Sequence, residues 1–337
     1  MKGAGEFMQE TEVKLIMMSE VPAEKVSWLW YPYIPFGKIT IVQGDPGDGK
    51  TTFILAVTAL LTTGRPMPES DIPTEPITVI YQTAEDGLSD TIKPRLVEAG
   101  ADCTKVAVID ESNQPLSLSD GRLEKAIQQI NAKLLILDPL QAYLGENIDM
   151  HRANEVRPIF KQLAGIAERT GCAIVIIGHM NKMNGTKGLY RGLGSIDIAA
   201  AARSVLLVGR CRDSPSIRVM AHLKSSLAPE GKSIGFELDE LTGFRWVGYY
   251  DITADELLSC NHKIEEGQTK QAQAEMMLYE ILRNGAVPCS DIYAGMAKQN
   301  ISRRTAENAK KSIGAKSYKQ GSCWYWILPQ GNKATTQ

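Results

Sequence analysis

From residue 38 to residue 178 the chain sets short, unbroken apolar runs against longer stretches whose apolar positions recur every three or four residues. Lys38–Gln43 (KITIVQ) is a β-branched run that predicts a strand, and Thr51–Thr63 is an apolar run of helical length. The same contrast predicts strands over Ile77–Gln82, Val106–Ile109, Leu134–Leu137 and Ala173–Gly178. Helices are expected between them, over Thr91–Ala99, Gly121–Asn131 and Ala153–Thr170, the last closed by Gly171 as its C-terminal glycine. Apolar runs without polar alternation are buried on both faces. The pattern therefore predicts an α/β fold with a mainly parallel central sheet and helices on each side.

Ser204–Val208 and Ile217–Leu223 predict two more strands. No long helix separates them, so they are expected to extend the sheet antiparallel to the rest. Phe236–Leu238 and Phe244–Val247 flank Asp239–Gly243 as a hairpin. Ahead of the first strand lies an aromatic segment, Trp28-Leu29-Trp30-Tyr31-Pro32-Tyr33-Ile34-Pro35-Phe36. Its prolines disfavour a helix, and its rings are expected to cover a core edge rather than to form a ligand box.

Residues 251–270 turn polar and mixed and read as a linker. Beyond them Ala274, Met277, Leu278, Ile281 and Leu282 fall at helical spacing, and Gly285 ends that helix. Ser290 is placed to cap a second helix and Ser302 a third, running from Arg303 to Ile313 and ending at Gly314. Trp324–Leu328 closes as a strand. Helix, helix-turn-helix and a final aromatic strand is the winged-helix order. The expected organisation is residues 1–7 as a cloning remnant, 8–36 as a lead-in, 37–250 as the core, 251–270 as the linker, 271–330 as a winged-helix domain and 331–337 as a tail.

Composition narrows this picture only slightly. A chain of 337 residues, 43% hydrophobic and 23% charged, suits a large globular domain with a smaller one. Its net charge of −2 excludes a chain that is basic throughout, so any nucleic-acid contact must come from a local patch. Residues 271–330 carry eight Lys or Arg against four acids, a local charge of +4 that leaves −6 for the remainder. Arg303 and Arg304 open the third helix of that segment, where base and phosphate contacts of a recognition helix lie. Docking of a protein partner is the alternative use. The six scattered cysteines form no CxxC pair and read as buried thiols of a cytoplasmic protein. Four isolated histidines make no zinc pattern. No apolar run reaches the ~18–20 residues of a membrane span, and no signal-peptide core is seen.

The chemistry concentrates in one stretch, Gly44-Asp45-Pro46-Gly47-Asp48-Gly49-Lys50-Thr51, followed by Thr52. GxxxxGK[ST] between a strand and a helix is a phosphate-binding loop. Its glycines let successive N–H groups face a β-phosphate, and the helix N-terminus adds a favourable dipole. Lys50 is expected on the β- and γ-phosphates of ATP, and the Thr51 hydroxyl on Mg²⁺. Such a site needs a second acid for the metal. Asp138 ends the strand LLIL and is expected to be held beside the phosphate-loop strand. Pro139, not Glu, follows it, so the carboxylate that orients the attacking water must come from elsewhere. Glu85, just past the strand ITVIYQ, points from a strand's carboxyl end into the ligand crevice, with Asp86 as its adjacent rival. His179 ends the strand AIVIIG and can sense the γ-phosphate. The loop after it carries Lys182, Lys187 and Arg191 and suits contact with a nucleic-acid backbone, or is a surface loop with incidental charge.

Taken together, WLWYPYIPFGKITIVQGDPGDGKTT, Ala84–Asp86, LLILDPL, GHMNK, RGLGSIDIAAAARSVLLV and HLKSSLAPEGKSIGFEL resemble the RecA-like hexameric ATPases of the RepA helicase type, from about Trp28 to Trp246. The resemblance implies that Glu85 is the catalytic base and His179 the γ-phosphate sensor. It places Arg95 near the adenine. Arg203 takes the position of an arginine finger reaching a neighbouring subunit, Arg210 is its rival, and Lys224 lies near the same intersubunit phosphates. ATP and Mg²⁺ are the implied cofactors. Single-stranded DNA, further copies of the chain in a hexamer, and a primase or other replication proteins are the implied partners. A C-terminal helix-turn-helix module departs from the small plasmid helicases. The function expected is a DNA-stimulated motor, a hexameric helicase of phage or plasmid replication. A RecA-like ATPase that binds DNA without unwinding it, as a recombination or loading factor, and a nucleotide-gated DNA-binding regulator are the alternatives. A small-molecule kinase lacks support, because no Arg-rich lid or second acceptor site is seen.

Overall fold

The computed structural model describes residues 14–145, 148–180, 196–211, 214, 216–239, 243–258, 270–283, 285–299, 301–320 and 323–328. In chain order the elements are β1 (Trp28–Trp30), β2 (Ile34–Pro35), β3 (Ile39–Gly44), α1 (Lys50–Thr63), β4 (Val79–Thr83), α2 (Lys93–Glu98), β5 (Val106–Ala107), α3 (Gly121–Ile130), β6 (Leu134–Asp138), α4 (Leu140–Tyr143) and α5 (Ala153–Thr170). There follow β7 (Ala173–His179), α6 (Ile196–Ala201), β8 (Ser204–Arg210), β9 (Ile217–Ser225), β10 (Ile234–Asp239) and β11 (Gly243–Tyr249). A short helix, α7, is described over 254–258. The C-terminal elements are α8 (Lys270–Leu282), β12 (Val287–Pro288), α9 (Cys289–Lys298), α10 (Arg303–Ser312), β13 (Lys316–Gln320) and β14 (Cys323–Ile327).

Nine strands form one sheet in the order β11-β10-β9-β8-β3-β7-β6-β4-β5. From β8 to β5 every pairing is parallel. The expected α/β class is therefore the observed one, with two corrections to the sheet. β8 was expected to run antiparallel, yet it pairs parallel with β3, Thr40 opposite Ser204, and the reversal comes one strand later at β9. A short helix, α6, supplies the crossover that the sequence pattern concealed. Second, the Asp138 strand does not lie beside the phosphate-loop strand, because β7 is inserted between β3 and β6. Hydrophobic runs specify burial and not neighbours, so strand order was open until the crossovers were seen. The hairpin expected at Asp239–Gly243 is the antiparallel pair β10–β11.

The pleat divides the core into two layers. Val42, Tyr81, Ile136, Val175 and Ile177 face α1 and pack on Phe53, Ile54, Val57 and Leu61. Ile39, Ile41, Leu135, Ile174 and Ile176 face the other way, toward Leu123 and Ile127 of α3 and Phe160 and Leu163 of α5. α1 is buried almost all round, because the β1–β2 segment covers its outer side. Trp30 and Trp246 both pack on Phe53, with ring centroids 6.3 and 5.8 Å away. The aromatic segment is thus a cover over the core. Leu257 and Leu258, in the stretch read as linker, are buried with Met180, Leu207, Val219 and Ala221. Cys103, Cys172, Cys211 and Cys289 are free thiols among the described residues, Cys172 and Cys211 being buried.

One buried histidine sets a pH limit on this core. His222 of β9 is 5% exposed and stacks on Tyr33, ring centroids 5.2 Å apart. Its Nδ1 accepts the Gly231 N–H at 2.8 Å and its Nε2 lies 3.0 Å from Ser204 Oγ. The ring is therefore a satisfied neutral imidazole, and protonation would destroy the Gly231 bond. Burial lowers its pKa from 6.5 to about 4. Unfolded chains bind the proton first, so stability is full above the unfolded pKa and falls as pH drops toward the folded one. The loss expected by pH 4 is about 3 kcal/mol. Urea midpoints measured from pH 7 to pH 4 test this, and His222→Gln should flatten that part of the profile.

The C-terminal elements form a separate core. Leu278 and Leu282 of α8 pack with Ile292, Met296, Ala306, Ala309 and Trp326. A three-stranded sheet, β12-β14-β13, lies against them. β13 was not expected, since KSYKQ is exposed along its whole length and carries no burial pattern. Ser302 caps α10 as expected, accepting from the Thr305 N–H at 3.2 Å. Ser290 does not cap α9, which begins one residue earlier at Cys289.

Candidate active site

The carboxyl ends of β3, β4, β6 and β7 bring the expected residues together on the α1 side of the sheet. Gly44 ends β3, and α1 begins at Lys50, so the phosphate loop bridges the two. Gly44 admits no side chain, because a Cβ there would stand 2.1 Å from the Val208 carbonyl oxygen. Lys50 is 4% exposed, and its Nζ donates to the Gly44 and Asp45 carbonyl oxygens at 3.0 and 2.8 Å. Burial lowers its pKa, against the attraction of Asp48, Asp138, Asp45 and Glu85. A buried ammonium held only by loop carbonyls beside a helix N-terminus is poised to transfer to phosphate oxygens.

Thr51 Oγ1 donates to Asp138 Oδ2 at 2.8 Å, and Tyr81 OH donates to the same oxygen at 2.8 Å. Burial raises the Asp138 pKa, while these two hydroxyls pull it down. A hydroxyl and a carboxylate side by side at the phosphate loop are hard oxygen donors of the kind Mg²⁺ takes together with phosphates. Tyr81 escaped the sequence reading. The available signal was period-two alternation, which places Val79, Tyr81 and Thr83 on the α1 face of an otherwise apolar strand.

β4 and β7 flank β6. Glu85, just after β4, and His179, at the end of β7, therefore stand on either side of Asp138. Glu85 Oε2 lies 4.0 Å from His179 Nε2, and its side chain is 66% exposed at the mouth of the site. Asp86, the rival acid, pairs with Arg95 at 3.6 Å and lies near enough to Asp138 for its charge to raise the Asp138 pKa. Arg95 and Thr52 line one cleft of about 680 Å³, whose other wall is Leu238, Phe244 and Trp246 of the β10–β11 hairpin. The aromatic wall was not foreseen as part of the site.

Arg203 and Lys224 do not join this cluster within one chain. The Arg203 N–H donates to the Ile39 carbonyl at 2.9 Å, at the start of β3. It is thus roughly 16 Å along the strand from Gly44. Lys224 Nζ donates to the Ala199 and Ala202 carbonyl oxygens, both at 2.8 Å, and so caps α6. Arg210 reaches its own phosphate loop, its Nε 3.2 Å from Asp48 Oδ1. Lys182, Lys187 and Arg191 lie outside the described residues. Arg303 and Arg304 are exposed at the start of α10, and the Arg303 guanidinium lies 4.8 Å from the Tyr293 ring centre.

Residues 8–185, just over half of the chain, match the AAA domain family. The chain belongs to that family. The DNA repair protein RadA of Halalkalibacterium halodurans is 28% identical over 154 residues, which are 45% of this chain and 30% of that protein. RadA of Bacillus subtilis is 26% identical over 154 residues, with the same shares. The chain thus spans less than a third of the length of these curated relatives. A KaiC-like protein from Pyrococcus horikoshii OT3 covers 63% of the chain and 90% of its own, at 18% identity and a TM-score of 0.45. The family and the RadA relatives support a RecA-like P-loop ATPase. No helix among the described residues is long and apolar enough to cross a membrane.

Proposed function

We propose that this AAA domain protein is a DNA-stimulated, Mg-ATP-dependent motor that works as a homo-oligomer, a hexameric DNA helicase of plasmid or prophage type. The observation that carries the reading is the disposition of Glu85 and His179 on the two strands flanking Asp138. A base on β4 orients the attacking water while a sensor on β7 follows the γ-phosphate, so hydrolysis is coupled to the loop that leaves His179. Thr51 and Asp138 would hold Mg²⁺, which would supply neutralising charge to the phosphates. Lys50 carries the β- and γ-phosphates, Thr52 and the backbone of Gly44–Gly49 complete the cradle, and Arg95 faces the base. The pairing of Asp86 with Arg95 favours Glu85 as the base.

Arg203 is exposed and remote from its own phosphate loop, so it meets a triphosphate only in another copy. Supplied in trans, it makes turnover depend on assembly. Lys224 steadies α6 on the same edge. The basic C-terminal module, read as a winged helix, presents the exposed Arg303 and Arg304 at the start of α10 for DNA. Lys182, Lys187 and Arg191 supply a second contact with single-stranded DNA. Primase and other replication proteins are partners of the same proposal.

The similarity to RadA, a DNA repair protein, favours a second reading, a RecA-like ATPase that binds DNA as a recombination or loading factor without unwinding it. ATP turnover with and without single-stranded DNA, followed by a strand-displacement assay, separates the two. Turnover is expected to rise with DNA, and Arg203→Ala is expected to bind ATP yet lose that rise. Displacement of a strand supports the helicase. Stimulation without displacement supports the second reading, and turnover indifferent to DNA removes both.

A further inference from the structure

The phosphate loop contains an acid that a polyphosphate site gains nothing from directly. Asp48 stands immediately before Gly49 and Lys50 and is 4% exposed. Burial next to a polyanion penalises a carboxylate twice, by desolvation and by repulsion from the ligand. Both penalties are opposed from β8. Arg210 Nε donates to Asp48 Oδ1 at 3.2 Å, and Arg210 Nη2 donates to the Gly47 carbonyl oxygen at 2.8 Å. Arg218 of β9 lies directly opposite Arg210 in the ladder and adds positive charge near Asp48. The other carboxylate oxygen, Oδ2, accepts the Asp45 N–H at 3.2 Å, while the Asp48 N–H donates to the Asp45 carbonyl at 3.2 Å. Residues 45–48 are thereby closed into a turn by two reciprocal bonds, and Arg210 pins that turn from outside. Gly47 (φ +80°) keeps the clamp close, since a Cβ there would stand 3.2 Å from Arg210 Nη2.

We propose that Arg210 is a positioning residue of its own chain's phosphate loop. By pairing with Asp48 and holding the Gly47 carbonyl, it keeps the 45–48 turn in the shape that receives the β-phosphate, and it shields the nucleotide from the Asp48 charge. The inference rests on the reading of this loop as a nucleotide site. It gives Arg210 a task in cis and separates it from Arg203, whose place at the amino end of the same strand, away from the phosphate loop, suits a task in trans. It also predicts an asymmetry. Removing the arginine leaves a buried carboxylate beside the ligand without its ion-pair partner, whereas removing both groups leaves no such charge.

The test is titration of the full chain with a fluorescent ADP and Mg²⁺, with ATP turnover measured in parallel. Arg210→Ala is expected to raise the Kd for the nucleotide about tenfold or more, while kcat at saturating ATP changes less than about threefold. The rise is the same at low and high protein concentration, as an intrachain contact requires. Adding Asp48→Asn to Arg210→Ala is expected to bring the Kd back to within about threefold of wild type. If Arg210→Ala does not fold, Arg210→Lys serves, because lysine keeps the charge but not the two-nitrogen reach, and a smaller rise of the same sign is expected. Normal binding with lost turnover in Arg210→Ala would make Arg210 a finger for another subunit and overturn the proposal. So would a raised Kd that Asp48→Asn does not recover. A folded wild type that binds nucleotide no better than Lys50→Ala removes the nucleotide reading itself, and the clamp with it.

Discussion

Lys50→Met is expected to cut ATP turnover on the order of a thousandfold without lowering the melting temperature. The two parts of this expectation come from the same observation. Lys50 is buried, and its ammonium is satisfied by the carbonyls of Gly44 and Asp45 rather than by a carboxylate partner. A cation kept in such a place costs free energy, which its lowered pKa reflects. Methionine has a similar length and no charge to desolvate, which offsets the two hydrogen bonds to the Gly44 and Asp45 carbonyls that it cannot make. What is lost is the charge that meets the β- and γ-phosphates as negative charge shifts in the transition state. Steady-state turnover and a thermal melt on the same preparation check both parts. Turnover within about tenfold of wild type would place hydrolysis elsewhere.

Glu85→Gln is expected to leave nucleotide binding within about threefold of wild type and to reduce turnover by about 10²–10⁴-fold. Glu85 makes no contact that holds the loop, and its side chain is open to solvent beside His179. Glutamine keeps the shape but cannot take a proton from water. Asp86→Asn supplies the control. Asp86 is engaged with Arg95, so its loss should act mainly through nucleotide affinity, raising KM more than it lowers kcat. Pre-steady-state trapping of bound, unhydrolysed ATP in Glu85→Gln reads the first effect directly. A Glu85→Gln enzyme with wild-type turnover, or an Asp86→Asn enzyme with the larger fall in kcat, would transfer the role to Asp86.

The legibility of the site varies with how local each role is. Lys50 and Thr51 could be read at once, because a phosphate loop is a contiguous backbone device of eight residues between a strand and a helix. Asp138, Glu85 and His179 could be found as strand-end groups, since a parallel sheet gathers its ligands at the carboxyl edge whatever the strand order. Tyr81, Phe244 and Trp246 were overlooked. Each looks like an ordinary core aromatic in sequence, and each becomes part of the site only through a neighbour remote along the chain. The engagement of Arg210 with Asp48 spans 162 residues and leaves no mark on either segment alone.

Hydrophobic patterning and the glycine motif by themselves determined the α/β class, most strands and the longer helices of the core, the phosphate loop between β3 and α1, and the helical run that opens the C-terminal module. These depend on short-range periodicity and on glycine geometry, which a chain carries in its local order of residues. Only the tertiary structure decided that β7 separates the Asp138 strand from the phosphate loop, that β8 runs parallel before the sheet reverses, and that Arg210 reaches Asp48 while Arg203 is exposed at the other end of the same strand. Strand order and side-chain pairing are settled by crossover handedness, burial and charge compensation between distant segments, and apolar runs of equal hydrophobicity do not encode which of them will be neighbours.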